Sequence, residues 1–367
     1  MNYQSRLQAV RSLMAERGFD LLLVSQPDNR RYLTGFPARE AMVGESAGWL
    51  VIGLTVGYFV TSFLYYDAVA ASVHDLEPVK AQRRLTETLG ELLKKLAGGI
   101  IGFESSWVTY DVYQELAKSL ESNRVLKSSA GLIEHLREVK DTDEMQIIQR
   151  AIDLTDRVYT AIVGQLRPGQ TEKEVAWALE RALREGGAEG MAFGPSVAFG
   201  VNSAVPHHEP TSNPLNMGDP VWIDMGARLE GYCADLTRSF AFGEASAEYQ
   251  HLYDVVLRAQ QAAIAGMHAG LEGKQADALA REIIAAAGYG GDFGHALGHG
   301  VGLAIHEAPR VGQTSEVRLR AGEVVTVEPG IYRAGWGGIR IEDVVVVRRS
   351  GVDVLSSAPK QFVVKPS

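Results

Sequence analysis

Cysteine is almost absent: a single Cys233 in 367 residues rules out an internal disulfide and is compatible with a reducing compartment. Positive charge is in deficit too. Lys and Arg number 36 against 45 Asp and Glu, and the net charge of −9 argues against nucleic acid, which is bound through basic patches. No low-complexity tract occurs. The polar start, Met1-Asn-Tyr-Gln-Ser-Arg6, is not a secretory signal, so the expected location is cytoplasmic. One run without charge, Ser46 to Tyr66, has the length of a membrane span. It is interrupted by glycine and threonine and rich in Val, Tyr and Phe, which reads as strand, turn and strand with Gly53–Gly57 in the turn. No membrane partner is expected. The remainder, 46% hydrophobic and 22% charged, is ordinary in composition and long enough for two domains with their own cores.

The acidic residues become informative where they sit in apolar sequence. Asp224 lies in Val221-Trp222-Ile223-Asp224-Met225-Gly226 and Asp235 in Tyr232-Cys233-Ala234-Asp235-Leu236-Thr237-Arg238, two strand-like runs flanking the turn Leu229-Glu230-Gly231. A turn centred between 229 and 230 makes the two aspartates direct cross-strand partners, with Cβ atoms about 4.5–5.5 Å apart on one face. Carboxylates that close repel, and one stays protonated unless a cation lies between them. Cys233 shares that face but reads as a small buried thiol. Glu328 follows the run Val324–Val327, and beyond Pro329-Gly330 the chain returns through Gly335, Gly337 and Gly338 to Ile339-Arg340-Ile341-Glu342-Asp343 and Val344–Val347. The strand period sets Arg340 and Glu342 on one face and Asp343 on the other, so Arg340 is placed to orient or balance the carboxylates.

Between the two acidic hairpins comes Gly294-His295-Ala296-Leu297-Gly298-His299-Gly300-Val301-Gly302, followed by His306-Glu307. Glycines around histidines allow close backbone approach to whatever the histidines touch. A lone acidic residue on a strand usually faces solvent. Two hairpins that each carry an acidic pair around a His/Gly segment are harder to read that way. Four carboxylates carry a formal charge of −4, which two divalent ions cancel, and oxygen-rich donors favour manganese-like ions. On spacing alone a dinuclear hydrolytic site and a set of solvated acids both stay open.

The segments Asp224 to Arg238, His295 to Pro309, and Val327-Glu328-Pro-Gly-Ile-Tyr332 with Gly338-Ile-Arg340-Ile-Glu342-Asp343 resemble the pita-bread metallopeptidases, which include aminopeptidase P, prolidase and methionine aminopeptidase. The resemblance implies that Asp224, Asp235, His299, Glu328 and Glu342 are metal ligands, with Asp235 and Glu342 bridging two divalent ions. Mn2+ is the expected metal, with Co2+ or Zn2+ as substitutes. It further implies hydrolysis without a covalent nucleophile, by a hydroxide held between the ions, with Glu328 moving the proton. His207, in Asn202-Ser203-Ala204-Val205-Pro206-His207-His208-Glu209-Pro210, matches the family histidine near the scissile amide. His306 matches the one that contacts the substrate carbonyl, and His295 one that lines the site. His208 would point away from His207 in an extended segment and is left out.

The preceding segment resembles the creatinase-type amino-terminal domain of aminopeptidase P and prolidase. Its markers are Phe19–Val24, read as a buried strand, and Asp28-Asn29-Arg30-Arg31-Tyr32-Leu33-Thr34-Gly35-Phe36. The family's Asp-x-Arg-Tyr sequence is replaced by uncharged residues at Thr61–Tyr66. The expected class is therefore α+β: a creatinase-type α/β domain over 1–130, then a pita-bread catalytic domain over 131–367 with a curved antiparallel sheet covered by helices. A last strand at Arg124-Val125-Leu126 and a linker at Ser128–Gly131 mark the boundary. Asp141 with Glu144, and Thr171 with Glu174, read as capping boxes that open the first catalytic helices. Their apolar faces are Ile148, Ile152, Thr155, Tyr159 and Ile162, and Val175, Leu179 and Leu183. The two similar halves that the family implies leave no visible repeat in the sequence.

By resemblance the substrate is a peptide with proline second, cleaved at the Xaa-Pro bond, a bond whose nitrogen lacks the N–H that most proteases use. Phe293–His299 and Gly337–Arg340 look more like aminopeptidase P. Prolidase, acting on Xaa-Pro dipeptides, is the alternative. More remote are a creatinase-like hydrolase and a non-catalytic binding protein of the same fold, both of which usually have eroded ligands. Members of the family are commonly homodimers.

Overall fold

The computed structural model describes residues 1–37, 40 and 45–367, and the chain divides into two compact units, Met1–Arg137 and Glu138–Ser367. In the first unit, helices α1 (Tyr3–Arg17), α2 (Pro27–Thr34), α3 (Phe63–Ser72), α4 (Leu85–Lys95) and α5 (Tyr110–Ser119) are interleaved, among the described residues, with six strands. These are β1 (Leu21–Val24), β2 (Trp49–Gly53), β3 (Gly57–Thr61), β4 (Glu77–Lys80), β5 (Ile100–Phe103) and β6 (Val125–Ser128), in the sheet order β4-β3-β2-β1-β5-β6. Every residue of β1 is buried, as its Leu-Leu-Leu-Val run requires of a strand inside a helix-flanked sheet. Within the uncharged run, β2 and β3 pair antiparallel with Ile52 opposite Gly57, as the strand, turn, strand reading expects, but its last residues, Phe63 to Tyr66, open α3 instead of continuing the strand. No helix among the described residues is long and apolar enough to cross a membrane. Leu21, Leu23, Trp49, Val51 and Val60 of the sheet pack with Leu89 and Leu93 of α4 and Leu116 of α5. Beyond β6 comes α6 (Leu132–Glu138), and the division between units falls at its end.

The second unit opens with α7 (Thr142–Val163) and α8 (Glu172–Glu185), both started by the expected capping boxes. Asp141 accepts from Glu144 N at 2.9 Å while the Glu144 carboxylate accepts from Asp141 N at 2.9 Å. Strands β7 (Gly190–Met191), β8 (Ser196–Phe199), β9 (Pro220–Met225), β10 (Ala227–Leu229), β11 (Tyr232–Cys233) and β12 (Leu236–Phe242) follow. After helices α9 (Ala247–Gly266) and α10 (Gly273–Ala286) come β13 (Gly298–Gly300), β14 (Glu307–Val311), β15 (Val324–Val327), β16 (Gly330–Arg333), β17 (Gly337–Arg340), β18 (Asp343–Arg348), β19 (Gly351–Val354) and β20 (Val363–Val364). The larger sheets run β20-β12-β9-β8 and β14-β13-β15-β18-β19.

Each larger sheet has its own helix pair. Tyr159, Val163, Val175, Leu179 and Leu183 share one core with Val197, Val221, Ile223 and Phe240. Val255, Val256, Ala259, Ala280 and Ile284 share another with Val325, Val327, Val345 and Val347. Burial stabilises by roughly 1.5–3 kcal/mol per large aliphatic side chain, so these two cores hold both sheets firmly and carry the hairpins between them. The α+β class expected from the sequence is the class observed.

Candidate functional site

The first acidic hairpin turns one residue later than the sequence predicts. Leu229 pairs with Tyr232 and Arg228 with Cys233, leaving Glu230 and Gly231 as a two-residue turn with φ of 46° and 86°. Both turn residues thus have positive φ, which suits the right-handed twist of the flanking strands. Asp224 consequently faces Thr237 across β9 and β12, not Asp235. The correction moves the pairing by two positions, so the face is kept, because only a one-residue slip turns a side chain over. Asp235 becomes the diagonal neighbour of Asp224. The ladder opens at Gly226, where a Cβ would stand 1.8 Å from the Ala234 carbonyl oxygen.

In the second hairpin the two acids are direct partners. Val327 pairs with Asp343 on one side and Gly330 with Arg340 on the other, which sets Glu328 opposite Glu342. Glu342 N donates to Thr237 O at 3.1 Å and ties the two hairpins together. His299 sits in β13, its N–H donating to Thr326 Oγ1 at 3.0 Å. The glycines on either side are needed for that approach. A Cβ on Gly298 would meet Thr326 O at 2.0 Å, and one on Gly300 would meet Ala308 O at 2.2 Å.

Five predicted ligands therefore converge. Asp224, Asp235 and Glu342 each offer a carboxylate oxygen within 4.8 Å of the others. His299 Nε2 lies 3.6 Å from Asp235 Oδ2 and 3.3 Å from Glu328 Oε1. Burial, with repulsion from Glu342, Asp224 and Glu328, pushes the Asp235 carboxyl well above the usual carboxylate range. Burial, Glu328 and Asp224 do the same to Glu342. Asp224 is raised by burial and Glu328 against the pull of Arg340. Glu328 goes the other way: burial opposes ionisation, but its hydrogen bond to His299 and the charge there bring it down to about 2. His299 in turn is raised, its burial outweighed by Glu328.

Asp224 Oδ1 and Glu342 Oε1 are buried without a hydrogen-bond partner. Orphan acceptors are costly, and together with carboxyls that must hold protons against one another they fit a hard divalent cation, which supplies both the charge and the missing partner. The donor set is four carboxylates and one imidazole, a composition suited to such an ion.

Around the acids lies a hydrogen-bonded frame. Arg340 donates from Nη2 to Asp224 Oδ2 at 2.7 Å, from Nε to Thr237 Oγ1 at 3.0 Å and from Nη1 to Tyr332 Oη at 2.7 Å. Its guanidinium carbon stands 4.5 Å from the Trp222 ring centroid. Thr237 Oγ1 passes the contact on, donating to Glu342 Oε2 at 2.8 Å. His295 Nδ1 is 2.8 Å from Ala296 O, so it carries the proton, and Nε2 accepts the Tyr332 hydroxyl at 3.1 Å. Burial lowers His295 and keeps it neutral. His306 stands edge-to-face on His299 with centroids 4.3 Å apart, and burial together with the nearby His299 lowers it as well. His207 is exposed, close enough to His306 to act on its charge.

Thr237 and Tyr332 escaped the sequence reading. Both were within its reach, because the period of two sets Thr237 on the face of Asp235, and Tyr332 pairs with Gly338 on the face of Arg340. Asp343, expected to point away, does so: it accepts from Arg238 Nη2 at 2.8 Å and Gln260 Nε2 at 2.7 Å behind the site.

Residues 146–349 match metallopeptidase family M24, and residues 6–139 match the creatinase/prolidase N-terminal domain. An Xaa-Pro dipeptidase of Pyrococcus horikoshii is 33% identical over 360 residues, 98% of each chain. Among solved structures, an Xaa-Pro dipeptidase from Bacillus anthracis has a TM-score of 0.93 at 36% identity, covering 99% of both chains. An X-Pro aminopeptidase from Thermotoga maritima has a TM-score of 0.86 at 34% identity, covering 95% of this chain and 99% of that one. The expected creatinase-type first domain and pita-bread catalytic fold agree with these likenesses.

Proposed function

The chain belongs to metallopeptidase family M24, and on that premise we propose that it is an Xaa-Pro dipeptidase, hydrolysing the bond before proline in Xaa-Pro dipeptides. The observation that carries this reading is the convergence of Asp224, Asp235, His299, Glu328 and Glu342 around two partnerless carboxylate oxygens. Those five residues would hold two divalent ions, manganese by the oxygen-rich donor set, with Asp235 and Glu342 shared between them. Such ions, when bound, lower the pKa of water and offset negative charge on a carbonyl oxygen.

The protein's own residues divide the remaining work. Glu328, held ionised, takes the proton from the attacking water and returns it to the departing proline nitrogen, which has no proton of its own. His306 is kept neutral and offers an N–H to the substrate carbonyl oxygen. His207 at the rim contacts the scissile amide, and His295 with Tyr332 lines the pocket. Arg340 keeps Asp224 directly, and Glu342 through Thr237, in a fixed orientation.

Local sequence blocks favoured aminopeptidase P, with its longer substrates. The dipeptidase reading is better supported by the full-length relatives that bear that name, at 33% and 36% identity. A second support is Arg310, which pairs with His299 across β13 and β14 and so shares its face. It is exposed and, among the described residues, without an ion-pair partner. A dipeptide carries a free carboxylate one residue beyond the scissile bond, and a guanidinium beside the ligand histidine is suited to bind it in bidentate fashion. The test is release of alanine from Ala-Pro and Ala-Pro-Ala by chelator-stripped protein reloaded with Mn2+. Preference for Ala-Pro is expected. Equal or faster cleavage of Ala-Pro-Ala makes the protein an aminopeptidase P instead.

A further inference from the structure

We propose that Glu172 and His208 form a positioning device that presents His207 to the substrate, an inference that rests on the reading of the site given above. Glu172 is the first residue of α8 and is fully buried. Its carboxylate takes five hydrogen bonds, all from one segment of chain. Oε1 accepts from Phe199 N at 2.9 Å and Asn202 Nδ2 at 3.0 Å. Oε2 accepts from His208 Nε2 at 2.8 Å, Thr211 N at 2.8 Å and Thr211 Oγ1 at 2.7 Å. A carboxylate has about four lone-pair positions, so this one is saturated by the loop 199–211 and has no capacity left for another role. Burial opposes its charge, yet the bonds from His208, Thr211, Asn202 and Phe199 hold it below the usual carboxylate range.

Two further tethers flank His207. Ser196 Oγ donates to the His208 carbonyl, and Ser196 itself lies directly across the ladder from Asp224. On the other side, Pro206 O accepts from Arg340 Nη1 at 3.2 Å, the same guanidinium that holds Asp224. Residues 206 and 208 are thus both pinned to groups that hold a proposed ligand or to the strand opposite it. His208 turns inward to Glu172, and His207, next to it, is left exposed beside His306. Residues 206–210 belong to no helix or strand that could do this instead. The buried carboxylate at the start of α8 supplies that order.

The experiment is a double-mutant cycle between His207→Ala and His208→Leu, read on Mn2+-loaded protein with Ala-Pro, alongside amide hydrogen exchange of the 199–211 segment and metal content. His208→Leu is expected to lower kcat/KM about tenfold on the wild-type background and to add almost nothing to His207→Ala, since both changes remove the same interaction. His208→Gln, which keeps a donor at similar reach, restores most of the loss. Exchange at Thr211 accelerates in His208→Leu while metal content stays at the wild-type level. Fully multiplicative losses, an unchanged kcat/KM or wild-type exchange would overturn the proposal. Should His208→Leu fail to fold, Thr211→Val removes one hydroxyl donor from the same carboxylate and is read by the same cycle. If the wild-type protein cleaves no Xaa-Pro dipeptide the proposed function fails, and the exchange measurement still decides the anchoring.

Discussion

Asp235 and Glu342 are buried carboxyls surrounded by other carboxyls, and their behaviour without and with a cation gives the sharpest expectations at the residue scale. Glu342→Gln keeps the shape and removes the charge, so metal retention and alanine release should fall together, by about 100-fold or more, beyond what loss of an outer partner causes. A fully loaded, fully active variant contradicts the bridging role. Because Asp224, Asp235 and Glu342 have raised carboxyl pKa values in the fold, the stripped folded chain binds more protons than the unfolded chain above about pH 4. Its stability therefore falls as pH rises through those raised values, while Glu328, lowered to about 2, acts in the opposite sense only below that window. Metal displaces the same protons, so the gap in Tm between loaded and stripped protein should widen from pH 4 to 8. A pH-independent gap rules this out. Arg310→Ala should raise KM for Ala-Pro by roughly 10–100-fold and leave the Ala-Pro amide, which has no carboxylate, unaffected. The two acidic pairs, His299 and Arg340 stand out in the sequence by strand periodicity and spacing, whereas their reading as a ligand set came from the resemblance to the family. Thr237 and Tyr332 were not singled out, since a hydroxyl on a strand carries no charge to betray it.

At the scale of elements, glycine decides how closely β13 can approach its neighbours. Gly298→Ala forces a Cβ against Thr326 O, which must move β13 and with it His299, at a cost of about 1–3 kcal/mol and most of the bound metal. Gly294→Ala is the matched control, because no atom lies within 4 Å of its would-be Cβ, and it should behave as wild type in Tm and metal content. The sequence reading anticipated that glycines near the histidines allow close approach, and Gly298 and Gly300 bear it out. Capping boxes at Asp141 and Thr171 were equally legible, being local hydrogen-bond patterns. The turn of the first hairpin was not. Leu-Glu-Gly permits either centre, and the choice went to the one in which Glu230 takes a positive φ beside Gly231.

For the whole molecule, the two helix-and-sheet halves of the second unit could not be read from the sequence, because each half fills its core with different residues. Tyr159, Leu179 and Phe240 lie in one core, and Tyr253, Ile284 and Phe293 in the other. What the halves share is the delivery of one acidic hairpin each to a common point, and that shared point is the substance of the functional reading. The measurement that tests it most directly is a titration of chelator-stripped protein with Mn2+, counting bound ions per chain while following alanine release from Ala-Pro. Inactive stripped protein, with activity rising to a plateau at two ions per chain, is the predicted result; alanine release from the stripped protein, or a plateau reached with one ion bound, would contradict it.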